Sequence, residues 1–252
     1  MPERFFIEGA ASPSSGAVID GALAHHIARS LRMRPGEMII VVDGAGDEHG
    51  VLLRSISADH VEGDVRWTRR ATGEPQLRIT VIQALPRDRM DDCIDVLVEA
   101  GAAAIRPAIT ERVVSRPADD RIPHRLLRWQ AIAREAAQLA GRGIIPPVHA
   151  PVAFADTLRA VEPGTRLIAC TFDGAMSLAE VEVDAAAPIA VCIGPEGGFG
   201  AHDWEALRAA GAETAHMGAR VLRTRYAGAI ACALLLGRSG DLARPPAGEP
   251  PG

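Results

Sequence analysis

The 252-residue chain contains no lysine; all 27 of its basic side chains are arginine. That absence removes the cation a triphosphate-binding P-loop sets on its phosphates. It leaves every positive contact to a planar, forked guanidinium. Long hydrophobic runs are missing too: none approaches the roughly 20 residues that span a bilayer. The opening MPERFFIEGA lacks the basic and apolar regions of a secretory signal. Cysteine is scarce. Cys93, Cys170, Cys192 and Cys232 lie far apart, each in an apolar stretch, a spacing that suits reduced core thiols rather than disulfides or a zinc site. His25 and His26 are adjacent rather than spaced as ligands, so no metal is expected. Together these features lead to the expectation of a bacterial-type cytoplasmic protein.

What is present reads as globular: 48% hydrophobic and 23% charged residues, in a length that favours about two domains. The net charge of −5 speaks against bulk attraction to nucleic acid. The alanine and arginine richness has the look of a high-GC coding sequence, so only local clusters carry information. One such cluster exists. HHIARSLRMRPGE places Arg29, Arg32 and Arg34 within six residues, with no acid before Glu37. On charge pattern alone it fits either phosphate contacts or a solvated helix end.

The rhythm of the chain changes near residue 73. Before it, EMIIVVDG, EHGVLLRSI and HVEGDVRWT are short β-type runs joined by Gly/Asp turns, the pattern of a small barrel or sandwich. After it, strands and helices alternate. LRITVIQAL, AAAIRPAIT, TRLIACTF, APIAVCIG and AETAHMG read as strands. DRMDDCIDVLVEAG reads as a helix with Met90, Ile94, Leu97 and Val98 on one stripe, and HRLLRWQAIAREAAQLAG as a long helix. HDWEALRAAG is a short helix closed by Gly211. The last helix, from about Arg225 to Leu236, carries Tyr226, Ala229, Ile230, Ala233 and Leu234 in helical spacing. Alternation of this kind implies a mainly parallel sheet covered on both faces. The tail from residue 241 is expected to be disordered.

Two loops follow strands and are rich in backbone rather than side chain. GPEGGFG fits neither the P-loop nor the dinucleotide fingerprint, whose glycine spacing and first-strand position differ. MGARVLR, Met217 to Arg223, is the second. From glycine content alone the pair fits either two structural turns or a clasp for a flat, hydrogen-bonding group such as adenine.

IGPEGGF followed about twenty residues later by MGARVLRTRYA resembles the paired signature GPEGG[FLW] and [LM]G-x-R-[IV]-L-R-x-E-T-A. That signature belongs to the RsmE-type 16S rRNA uracil-N3 methyltransferases of the SPOUT superfamily. RFF, HHIARSLRMRPGE, DRMD, TER, RW, EAA and GRGIIPP fall in the family's order, so the resemblance covers nearly the whole chain. It implies an α/β architecture with a PUA-like β-barrel over residues 1–72, and a SPOUT domain with a trefoil knot over 73–240, ahead of the tail 241–252. It implies S-adenosyl-L-methionine as cofactor, held by Thr171, by Gly194, Pro195, Glu196, Gly197 and Gly198, and by Met217, Gly218, Val221 and Leu222. It also implies a homodimer acting on 16S rRNA in the small ribosomal subunit, with RNA contacts at Arg4, Arg29, Arg32, Arg34 and Arg112. Arg223 is the first candidate to stabilise the uracil anion and Arg142 the second. Glu196 is the nearest candidate by motif to take the N3 proton, and is expected rather to hold its own loop through backbone amides.

The sequence departs from the family pattern at definite places. Arg225 and Tyr226 stand where E-T is usual, Leu139 and Ala140 where a polar pair is usual, and Pro86 near a position that is often lysine. These departures leave two alternatives beside uracil-N3 methylation: methylation of another RNA position, and a catalytically silent RNA-binding assembly factor.

Overall fold

A computed structural model describes residues 2–7, 16–114 and 116–245. They fall into two compact units, one of residues up to 74 with 137–145, the other of 75–136 with 146–245.

The first unit is a curled, mixed five-stranded sheet. Its strands are β1 (Glu3–Phe6), β2 (Ala17–Asp20), β3 (Met38–Val42), β4 (Asp47–Ile56) and β5 (His60–Arg70), in the order β1-β3-β4-β5-β2. β1 runs parallel to β3; the other pairings are antiparallel. Alternation builds the interior: Ala17 and Ile19 of β2 point inward to join Phe5, Ile39, Val41, Val51, Leu53 and Val61. Helix α1 (Gly21–His25) runs on into a π-helical turn, His26–Ser30. Ala24 and Ile27 cover the core from this segment.

RFF, assigned to an RNA surface by resemblance, is this unit's first strand. Phe5 and Phe6 are buried. Arg4 is turned inward, paired with Glu48 and donating to the carbonyls of Gly141 and Arg142 at 3.0 Å each. Arg142 is itself only 2% exposed. Its Nε and Nη2 reach the two oxygens of Glu74 at 3.2 and 3.0 Å, and Glu74 Oε1 also accepts from the amides of Gly143 and Ile144. This half-buried carboxylate organises the 141–144 turn. Glu74→Ala strips it from a buried guanidinium and two amides, so we expect a stability loss of about 3–5 kcal/mol. The loss is read as a fall in the urea midpoint at unchanged m-value; a midpoint within error of the parent contradicts this role.

The second unit holds a seven-stranded parallel sheet. Its strands are β6 (Ile79–Ala84), β7 (Ala104–Ile109), β8 (Val152–Ala153), β9 (Arg166–Cys170), β10 (Met176–Ser177), β11 (Ile189–Ile193) and β12 (Glu213–His216). The order is β10-β12-β9-β11-β6-β7-β8. Every residue of β11 is buried, as expected for a central parallel strand covered on both faces. The helices are α2 (Met90–Glu99), α3 (Ile122–Leu139), α4 (Phe154–Arg159), α5 (Ala201–Ala209) and α6 (Thr224–Arg238). α2 buries Met90, Ile94, Leu97 and Val98, the stripe read from the sequence, together with Cys93. Gly211, at φ +70°, closes α5.

α6 differs from expectation. Its buried face is Ala227, Gly228, Ala231, Cys232, Leu235 and Leu236, two residues out of phase with the anticipated stripe and so on nearly the opposite side of the helix. Tyr226, Ile230, Ala233 and Leu234 form a second apolar face that is partly or fully exposed. The helix is apolar nearly all round, so periodicity could not say which face the sheet takes. Just beyond it, where disorder was expected, Asp241–Ala243 forms a 3₁₀ turn; residues 246–252 lie outside the described residues.

Candidate cofactor and substrate cavity

The carboxyl ends of β6, β9, β11 and β12 open into a cavity of about 700 Å³. That is where ligands meet an open α/β sheet, and the volume suits a small organic molecule.

The glycine loop after β11 is built from its aromatic end. Phe199 is buried, stacks on Phe154 at 5.4 Å and meets the edge of Trp204 at 5.7 Å. This anchor pins the loop to the core beneath it. Gly198 donates to the Pro195 carbonyl at 2.8 Å with φ +68°, a conformation that only glycine adopts without strain. A clamp arrives from the end of β7. Arg112 donates through Nη1 to the Gly197 carbonyl at 2.8 Å. Glu111 Oε2 accepts from the His202 amide at 3.0 Å on the first turn of α5. The His202 backbone bond, followed by the His202 side chain, holds the Glu111 carboxyl below its ordinary range. Asp203 is buried and takes the amides of Gly200 and Glu111. The TER segment thus grips the glycine loop and the helix after it.

Glu196 does not hold its own loop as expected. Its carboxylate accepts from the Arg87 amide at 3.4 Å, tying the loop to the segment after β6. Leu222 and Met217 line the cavity, and Val221, 84% exposed, stands at its mouth. Thr171 lines it as well, and its Oγ1 is shut off from solvent with no hydrogen-bond partner. Burial pushes the neighbouring Cys170 thiol up to about 12, so it sits there neutral and unreactive.

Of the residues singled out by sequence, Thr171, Gly194, Pro195, Glu196, Gly198, Met217, Gly218, Val221, Leu222 and Arg223 all line this one cavity. Gly197 shapes it from behind, through Arg112. Arg142 belongs to the other unit, with its guanidinium engaged by Glu74. Arg4 is likewise engaged, whereas Arg112 is exposed and spends one donor on the glycine loop. Arg29, Arg32 and Arg34 are exposed and form no ion pair with a described residue. Arg220, within the MGARVLR loop, lines the cavity too, as do Asp88, Phe172, Asp173 and Trp204, which sequence reasoning did not assign to it. Asp88 opens the DRMD motif; Phe172, Asp173 and Trp204 carry none, and only the strand order gathers them. Among the described residues no group of three or more His, Cys, Asp or Glu could hold a metal ion.

Residues 73–236 match the family described as an RNA methyltransferase domain, and residues 19–65 match an RNA methyltransferase PUA domain. The chain belongs to this family. It is 30% identical to a ribosomal RNA small subunit methyltransferase E of Mycobacterium bovis over 90% of this chain and 88% of the relative. It is 28% identical to the Bacillus subtilis protein of the same name over 89% of this chain and 92% of the relative. Among solved structures, the ribosomal RNA small subunit methyltransferase E of Neisseria gonorrhoeae bound to S-adenosyl methionine aligns with a TM-score of 0.82. The identity there is 28%, covering 92% of this chain and 96% of that one. The curled sheet followed by the parallel α/β unit is therefore the architecture of this family, as the sequence motifs implied.

Proposed function

We infer that the chain is an S-adenosylmethionine-dependent methyltransferase that modifies N3 of a uridine in 16S rRNA. The observation that carries this reading is the convergence of both glycine loops and Thr171 on one cavity in a member of this family. The cavity fits the cofactor on its own chemistry. Gly194 and Gly198 let backbone approach a flat ring, Leu222 and Met217 supply apolar wall, and the buried Thr171 hydroxyl lacks a partner that a polar ligand atom provides. When bound, the cofactor supplies an electrophilic methyl group on a sulfonium.

The chain's own task is the nucleophile, a uracil imide that stays mostly protonated near neutral pH. Arg223, exposed at the N-terminus of α6 and lining the cavity, is placed to stabilise the developing anion on a carbonyl oxygen. Asp88, Asp173 and Glu196 are the cavity carboxylates available to take the N3 proton.

The surrounding assembly follows from the same reading: a cytoplasmic homodimer acting on the small ribosomal subunit. The second apolar face of α6, with Ile230, Ala233 and Leu234, supports a partner surface. We also infer a trefoil knot, supported by β12 lying between β10 and β9, so that the last strand enters the span of an earlier connection. Arg29, Arg32 and Arg34 project from the π-helical turn and the loop after it, and Arg32 holds a left-handed conformation at φ +54°. Strain of that kind on an exposed basic segment supports RNA contact. Replacing all three by Ala is expected to lower the log–log salt slope of RNA binding by about two, at 0.7–0.9 per phosphate contact, with cofactor affinity unchanged. A slope equal to that of the parent contradicts the assignment.

A further inference from the structure

Arg225 occupies the first turn of α6, where the family pattern carries glutamate, and it lines the cavity. Its guanidinium forms no ion pair or hydrogen bond with a described residue. Its Nε is closed off from solvent without an acceptor. The guanidinium plane lies over the Tyr226 ring at 4.6 Å, which holds it in place from one side. Buried donors in folded proteins are almost always satisfied, and a positive one left open in a cavity is a site for an anionic oxygen. The cavity lining is mixed in charge, with Asp88, Asp173 and Glu196 as well as Arg220 and Arg223, but the first turn of α6 holds no acid and none pairs with Arg225. Tyr226 is 43% exposed, so the stacked pair stands at the mouth, where an incoming strand meets it.

We propose that Arg225, braced by Tyr226, grips a backbone phosphate beside the nucleotide that enters the cavity. The proposal rests on the RNA methyl-transfer reading above. The guanidinium fork matches two phosphate oxygens, whereas a glutamate at this position repels them. The exchange thus turns a position that carries an acid in the family pattern into an RNA anchor particular to this chain.

The test uses the full chain with three readouts: methyl transfer to small-subunit particles, calorimetry with the demethylated cofactor product, and salt-dependent binding of a single-stranded RNA. Arg225→Gln is expected to raise KM for the particles by ~10-fold, the scale of one charge-assisted contact, with little change in kcat. Cofactor-product affinity stays as in the parent, and the RNA salt slope falls by about 0.7, one phosphate. Arg225→Lys restores the slope, because its charge remains. Unchanged KM and slope overturn the proposal. A loss confined to cofactor-product affinity also overturns it, assigning the guanidinium to the cofactor's carboxylate. Should the parent bind RNA and transfer no methyl group, the methyl-transfer reading fails, and the salt slopes still decide the role of Arg225.

Discussion

Arg223→Ala is expected to slow methyl transfer by ~100-fold or more while leaving cofactor affinity nearly unchanged. The magnitude is that of removing one donor from a developing oxyanion. The reasoning starts from the nucleophile. A uracil N3 gives up its proton reluctantly near neutral pH, and a positive donor on an adjacent carbonyl oxygen lowers that cost. Arg223 suits the task because it is exposed at the cavity and forms no ion pair with a described residue, so its donors remain available. Arg142, the other sequence candidate, has its guanidinium engaged by Glu74. Single-turnover transfer to small-subunit particles is the appropriate measurement, since it separates chemistry from product release. Transfer at the parent rate contradicts the assigned mechanism.

The second large effect is on binding. Gly194→Val is expected to weaken binding of the cofactor or its product by ~10- to 100-fold. A β-carbon built at Gly194 meets only Phe199 and the Gly198 backbone at ordinary contact distance, 3.5–3.6 Å, so the fold has room for it. Gly194 lines the cavity, so the added branches are expected to crowd a ligand that lies against this loop. Overpacking a close contact costs about 1–3 kcal/mol, and each 1.4 kcal/mol is roughly tenfold in affinity. The contrast with Gly198 and Gly218 is useful. Their φ values of +68° and +91° make any side chain strained, so variants there confound loop geometry with binding. Calorimetry, with thermal unfolding as a control for the fold, reads the result. Parent-like affinity in a folded Gly194→Val variant contradicts the cavity assignment.

The parts of the fold that were legible are those whose physics is local. β11 announces itself as a continuous apolar run, and β6 and β9 as largely apolar ones, because a central parallel strand is covered on both faces. β1 and β2 were missed. Each has four residues, and β1 pairs with β3, more than thirty positions away, so nothing nearby marks it as a strand. α6 was found, yet its orientation was not, because both of its faces are apolar.

The same division runs through the cavity. Its glycine loops were visible in sequence because close approach and left-handed backbone need glycine at fixed positions. The side chains holding those loops were misread, since each acts across the fold. Arg112 reaches a carbonyl 85 positions away, and Glu111 an amide 91 away. The isolated TER motif shows charges but not what they grip. Arg142 illustrates the opposite error. Its place in the motif order suggested chemistry, whereas its carboxylate partner 68 positions away makes it a structural post.

The most direct test of the central claim is nucleoside analysis after transfer. Small-subunit particles lacking the modification are incubated with the protein and labelled S-adenosylmethionine, and the 16S rRNA is digested and separated. The account predicts label in 3-methyluridine, at up to one methyl group per particle, and far less at limiting cofactor in particles treated with the Gly194→Val variant. Label in a different nucleoside contradicts the assigned target atom. A protein that binds the particles and leaves every nucleoside unlabelled contradicts the enzymatic reading itself.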